Sequence, residues 1–146
     1  MLSNSCRYGI RAMIYIASRQ KGDSKTGIQI ISKDLDLPTP FLAKILQQLA
    51  KQKMLKSLKG PHGGFSLIKD PSEITMYDIV RVIDGEDLFT SCIIHNTSCS
   101  SVDRKKMQCP VHKQYSEVRA GLIKLFKTVT LDELVKNSAD TEQILI

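Results

Sequence analysis

Cys92, Cys99, Cys109 and His112 follow one another as C-x6-C-x9-C-x2-H. Thiolates bind soft metal centres, and three of them with an imidazole suit either a two-iron cluster or a tetrahedral zinc ion. The spacing is neither the C-x2-C of zinc knuckles nor a ferredoxin run. Three outcomes therefore stay open on spacing alone: an iron–sulfur cluster, zinc, and uncoordinated thiols that are redox-active or inert. Cys109-Pro110-Val111-His112 opens a predicted long helix, whose dipole favours a thiolate at that end. His95, inside the same loop, rivals His112 for the fourth position or is a solvated loop histidine. Cys6 falls near the apolar side of a first helix and reads as a small buried residue.

A second pattern is electrostatic. From Pro40 to Lys59 the chain holds five lysines and no acid, and it then enters Gly60-Pro61-His62-Gly63-Gly64. The net charge of +6 is unevenly placed. Residues 1–70 carry 12 Lys+Arg against 4 Asp+Glu, whereas residues 71–146 carry 9 against 11. A cationic half beside a slightly acidic one points to a polyanionic partner, nucleic acid above all.

The elements that must position these groups are legible from periodicity. Ile10, Met13, Ile14 and Ala17 predict a helix from about Asn4 to Arg19. A loop over Lys21 to Gly27 leads to a short helix over about Ile28 to Leu35, which Asp36-Leu37-Pro38 ends. Thr39 is expected as an N-cap with Pro40 at the first helical position. Leu42, Ile45, Leu46 and Leu49 then form one apolar stripe, leaving Ala43, Lys44, Gln47, Gln48 and Lys51 on the other face. Two short helices with a tight turn make a helix-turn-helix.

Strands over Leu55 to Lys59 and Phe65 to Ile68 flank the glycine tip as a hairpin, which completes a winged helix. Thr75 caps a further helix with Met76, Ile79, Val80 and Ile83 on its stripe, ended by Asp84-Gly85. Residues 86–108 show no period, as expected of a functional or a disordered stretch. Val111, Tyr115, Val118, Leu122, Leu125 and Val129 step as a coiled-coil seam, widened by Ile123 and Phe126. Thr130-Leu131-Asp132-Glu133 opens a last short helix as a capping box, and a frayed tail is expected after it.

The expected fold class is mainly α: a winged helix-turn-helix with a two-stranded wing, then a long dimerisation helix. The expected units are residues 1–85 for DNA binding, 86–110 as a cysteine-bearing sensor loop, and 111–146 for dimerisation. Catalysis fits poorly. The three histidines are scattered at 62, 95 and 112, no glycine-rich phosphate loop follows a strand, and the strands are too few to enclose a pocket. Nothing approaches eighteen consecutive apolar residues, and a cytoplasmic protein is expected.

Arg7-Tyr8, Phe41-Leu42-x-x-Ile45-Leu46-x-x-Leu49 and Ser57-Leu58-Lys59-Gly60-Pro61-His62-Gly63-Gly64-Phe65 resemble the IscR/NsrR/CymR group of bacterial regulators, the Rrf-two family. The likeness runs in order over nearly the whole chain. It implies a homodimeric winged-helix transcription factor, paired through the helix starting near Val111 and bound to double-stranded DNA. Carried over by position, it places DNA contacts at Thr39, Pro40, Ala43 and Lys44 and along Lys59, Gly60, Pro61, His62, Gly63 and Gly64. It also implies an iron–sulfur cluster, a 2Fe-2S centre on Cys92, Cys99, Cys109 and His112. Two departures stand out. The cysteines are farther apart than in cluster-binding relatives, and Ala43 stands where the IscR branch has a glutamate that sorts DNA sites. CymR-like relatives imply the other use of the fold, a cofactor-free regulator governed by a partner protein or a thiol switch.

Overall fold

The structure is a computed structural model that describes residues 1–95, 98 and 109–139. Cys99 and the tail expected to fray lie outside the described residues. Helix α1 spans Asn4–Arg19, α2 Ile28–Leu35 and α3 Thr39–Lys51. Strands β1 (Leu55–Leu58) and β2 (Gly64–Leu67) pair antiparallel, with Leu55 opposite Leu67 and Leu58 opposite Gly64. A single 3-10 turn at Pro71–Glu73 precedes α4 (Met76–Ile83), α5 (Asp87–Thr90), α6 (His112–Thr128) and α7 (Leu131–Ala139).

The main core lies among α1, α2, α3 and the base of the wing. Met13, Ile31, Leu42, Leu46 and Leu49 are all fully buried there. Each such side chain contributes on the order of 1.5–3 kcal/mol through burial alone. The α3 stripe faces this core as its period requires. Leu131 of α7 is also fully buried in that core, and Leu134 and Val135 pack against it. Two backbone bonds fasten the α7 entry: Met76 N–H to Val129 O at 3.0 Å and Leu131 N–H to Ile74 O at 2.7 Å.

The turn between α2 and α3 has a definite cause. Asp36 adopts a left-handed conformation at φ 51°, which a short polar side chain tolerates, and its N–H and that of Leu37 take up the last α2 carbonyls. Arg11 of α1 donates to another, Leu35 O, at 3.1 Å. The expected cap at Thr39 is shifted by one residue. Pro38 holds the cap position, Thr39 is already helical, and its hydroxyl bonds Ser32 Oγ across the turn at 2.7 Å. That bond ties α3 to α2, so the hydroxyl is not turned back on its own helix.

Thr75 caps α4 as expected, in a reciprocal capping box with Asp78. The stretch after Gly85 is not wholly irregular. Helix α5 occupies Asp87–Thr90 because Phe89 sinks between Tyr77 of α4 and Phe126 of α6, with ring centroids 4.7 and 5.5 Å away. A single four-residue turn is too short for periodicity to reveal.

The expected seam on α6 divides between two faces. Phe126 is buried against the α4–α5 aromatics, whereas Val118 is 68% exposed and Leu125 51% exposed. Leu122 and Ile123, between these faces, are half-buried. The rest of the chain therefore covers one side of α6 and leaves the other apolar side open.

Candidate functional site

The exposed face of α3 begins at Pro40 and carries Ala43, Lys44, Gln47, Gln48 and Lys51 around an open groove of about 820 Å³. Pro40 and Lys44 are exposed and Ala43 is half-buried. Helix position is fixed from behind. Gln48 donates to Val82 O of α4 at 2.7 Å, and Phe41 meets Tyr8 of α1 edge to face at 5.9 Å. Tyr8 sits within α1, so this pair explains why two separated parts of the resemblance belong together. They clamp α3 onto the first helix.

The wing is held as firmly. Gly60 takes φ 110°, and Gly63 N–H closes the tip on Gly60 O at 2.9 Å. A Cβ on Gly63 would meet Leu58 O at 2.1 Å, and one on Gly64 would meet Thr26 O at 2.5 Å. The close approach at Gly64 exists because Thr26 and Phe65 exchange two backbone bonds of 2.9 Å. Further along β2, the Gln20 side chain accepts from Leu67 N–H at 2.6 Å. The outer edge of β2 is therefore partly paired, and Lys59, Pro61 and His62 stand exposed at the tip.

Charge follows the same surface. Lys44, Lys51, Lys53, Lys56 and Lys59 are exposed, and among the described residues none of them forms an ion pair. The motif-based site set omits Lys51, Lys53 and Lys56; the acid-free lysine run was the signal for them. Arg19, by contrast, is neutralised by Asp34 at 3.1 Å. Five uncompensated ammonium groups beside an exposed helix and a glycine tip form a surface suited to phosphate.

Three potential metal-ligating side chains converge below α6. The Sγ atoms of Cys92 and Cys109 lie 3.7 Å apart, and His95 Nδ1 is 3.4 Å from Cys92 Sγ. All three donor atoms fall within 4.8 Å of one another. Cys92 and Cys109 are 8% and 6% exposed. Backbone N–H groups of His95 and then Ile94, followed by the His95 ring, lower the Cys92 thiol to about 6. A thiol held that low is largely thiolate at neutral pH, the form that binds metal. Two sulfur donors and an imidazole at these separations fit a soft metal centre. His112 is the first residue of α6, with its N–H on Cys109 O at 3.0 Å, and it stands outside this group. Cys6, as expected, is fully buried, and burial followed by the Asp84 carboxylate pushes its thiol up to about 12.

Known proteins match this arrangement along its length. The family described as Rrf2, iron-dependent transcriptional regulator, matches residues 2–137. The chain belongs to the Rrf2 family. Members of that family are DNA-binding transcriptional regulators, not enzymes, and so is this chain. It is 32% identical to an HTH-type transcriptional regulator of Aquifex aeolicus, over 92% of this chain and 91% of that one. CymR, the global cysteine regulator of B. subtilis, has the same fold at a TM-score of 0.75. It is 23% identical, with 94% of this chain and 97% of that chain covered. T. potens IscR superposes at a TM-score of 0.63 with 25% identity, covering 98% and 91%. The winged helix-turn-helix architecture expected from the sequence is thus the fold of this Rrf2 protein. No described helix is long and apolar enough to cross a membrane.

Proposed function

We propose that this Rrf2 protein binds a pseudo-palindromic operator as a homodimer and adjusts that binding to the state of a metal centre in its cysteine loop. The observation that carries the DNA surface is the set of five exposed lysines along α3, β1 and the wing that form no ion pair among the described residues. The α3 N-terminal residues Pro40, Ala43 and Lys44 enter the major groove, and Lys59 to Gly64 lie against the backbone. Thr39 contributes by fixing the helix start through Ser32, since its hydroxyl is already engaged. Dimerisation runs through the open side of α6, where Val118, Leu122 and Leu125 recur at helical spacing and Gly121 leaves room for close approach.

The units proposed are the winged helix of residues 1–85, the sensor loop of 86–110 and the dimerisation segment of 111–146. What supports a metal centre is the convergence of Cys92, His95 and Cys109 in a member of a family of iron-dependent transcriptional regulators. A 2Fe-2S cluster is the form the resemblance favours, with redox, nitric oxide or iron–sulfur status as the signal. Such a group supplies reversible electron uptake and a ligand exchange site when bound. The chain's own part is mechanical. Arg119 of α6 donates to Thr90 O at 3.2 Å, two residues before Cys92, and Phe89 joins α5 to α4 and α6. A change in the loop therefore bears directly on the helix that spaces the two reading heads.

The second reading is a thiol switch without cofactor, which the 3.7 Å separation of Cys92 and Cys109 favours. Titration of labelled duplexes at low salt, with protein prepared without oxygen and again after mild oxidation, tests the whole proposal. Affinity that changes on oxidation supports a sensor. Affinity indifferent to it leaves a constitutive DNA binder, and no binding to any duplex removes the operator reading.

A further inference from the structure

We infer that His95, rather than His112, supplies the imidazole of the metal centre, on the same metal atom as Cys92; this rests on the metal-centre reading above. Tetrahedral geometry sets the test of distance. With metal–sulfur bonds of about 2.3 Å and metal–nitrogen bonds of about 2.0–2.1 Å, a sulfur–nitrogen edge is about 3.6 Å and a sulfur–sulfur edge about 3.8 Å. Cys92 Sγ and His95 Nδ1 stand 3.4 Å apart, and Cys92 and Cys109 sulfurs 3.7 Å apart. The Cys92–His95 separation is already that of two donors on one metal atom; Cys109 would be a third donor to that atom only for a lone ion, because each iron of a two-iron cluster takes two bridging sulfides and two protein donors.

The backbone explains why. An antiparallel bridge between Ser91 and Ser98 closes the short segment that carries both side chains. Within it, Ile93 and Ile94 point outward, 61% and 56% exposed, while Cys92 and His95 turn inward three residues apart. Cys92-Ile93-Ile94-His95 is therefore a preformed chelating turn. Among the described residues His112, at the first position of α6, falls outside the group of three. The same imidazole–thiolate pair serves an iron of a cluster or a lone tetrahedral ion, and acid-labile sulfide separates those two sources.

The test uses the full-length chain purified without oxygen and loaded with iron and sulfide, and separately with cobalt(II) alone. Metal and sulfide per protomer, resistance to a chelator, and nitrogen coupling in pulsed electron paramagnetic resonance are read. His95→Ala is expected to weaken metal retention at least tenfold and abolish the strong nitrogen coupling, with His112→Ala leaving both intact. His95→Cys is expected to recover the metal without the nitrogen signal, which guards against a loop that has merely lost its shape. Nitrogen coupling that survives His95→Ala and disappears in His112→Ala overturns the inference and leaves the metal centre standing. Wild-type protein that takes up neither iron nor cobalt overturns the metal reading, and this inference with it.

Discussion

Replacing Lys59 by alanine isolates the contribution of the wing to DNA binding. Lys59 is exposed and free of any ion pair among the described residues, and no acid precedes it as far back as Pro40. Its loss should therefore leave folding almost untouched, within about 0.5 kcal/mol for a surface change of this kind. The effect on binding follows from counterion release. If all five lysines of each protomer meet phosphate, the slope of log K against log salt is about −9 for the dimer, at about −0.9 per contact. Lys59→Ala removes one contact from each protomer and makes that slope shallower by about 1.8. Between about 50 and about 200 mM salt this difference amounts to about 1.1 in log K, or roughly twelvefold. The variant should thus bind much more weakly than wild type at low salt and approach it as salt rises. Fluorescence anisotropy with a labelled operator across that range measures both slopes. An unchanged slope refutes wing contact with the backbone. A slope shallower by only about 0.9 means that a single wing of the dimer reaches phosphate.

Three further outcomes follow from particular contacts. Gly64→Ala should lower unfolding free energy by about 1–3 kcal/mol in urea melts, because a Cβ there strikes Thr26 O at 2.5 Å and φ is 149°; a neutral substitution contradicts the pairing of Thr26 with Phe65. Leu125→Glu, at a residue 51% exposed in the protomer, should leave thermal stability of the fold nearly unchanged but halve the sedimenting mass and cut operator affinity at least tenfold. Sedimentation as wild type removes α6 from the interface. The Cys6 thiol, pushed up to about 12 from 9.0 by burial and then by Asp84, keeps its proton in the folded state while the unfolded chain ionises. Its stabilising contribution is complete below pH 9 and declines as pH rises toward 12. The decline is at most about 1.4 kcal/mol per pH unit. Chemical denaturation of wild type and Cys6→Ala over that range should show the steeper fall in wild type.

Most of the helices were legible because their apolar residues recur strictly. Leu42, Ile45, Leu46 and Leu49 allow only one buried face, and the structure buries all four. The wing was legible from glycines between two short apolar runs. What escaped depends on partners distant in sequence. Nothing local reveals that Thr26 reaches Phe65, or that Thr39 spends its hydroxyl on Ser32 and yields the cap to Pro38. The α6 seam was legible as apolar, but periodicity cannot say which half a neighbouring helix will claim. Phe126 is claimed by Phe89, whose own turn is too short to show a period. The position of His95 beside Cys92 likewise depends on the Ser91–Ser98 bridge, which closes over residues with no strand pattern.

The glycines that make the wing recognisable should not be counted twice as evidence for DNA contact. Gly63 and Gly64 are each required by a backbone oxygen less than 3 Å from where a Cβ would sit, Leu58 O in one case and Thr26 O in the other. A hairpin that bound nothing would need them equally. Gly60 differs, because a Cβ there meets nothing within 4 Å, and only its φ of 110° calls for glycine. The lysines have no comparable structural duty. Lys44, Lys53, Lys56 and Lys59 are exposed and form no ion pair among the described residues, and concentrating like charge on one face destabilises a fold that has no polyanion to meet. Glycine thus sets the shape of the wing, and lysine sets its charge. A chain that kept every wing glycine but carried glutamine at these lysines should fold as this one does and lose its hold on duplex DNA.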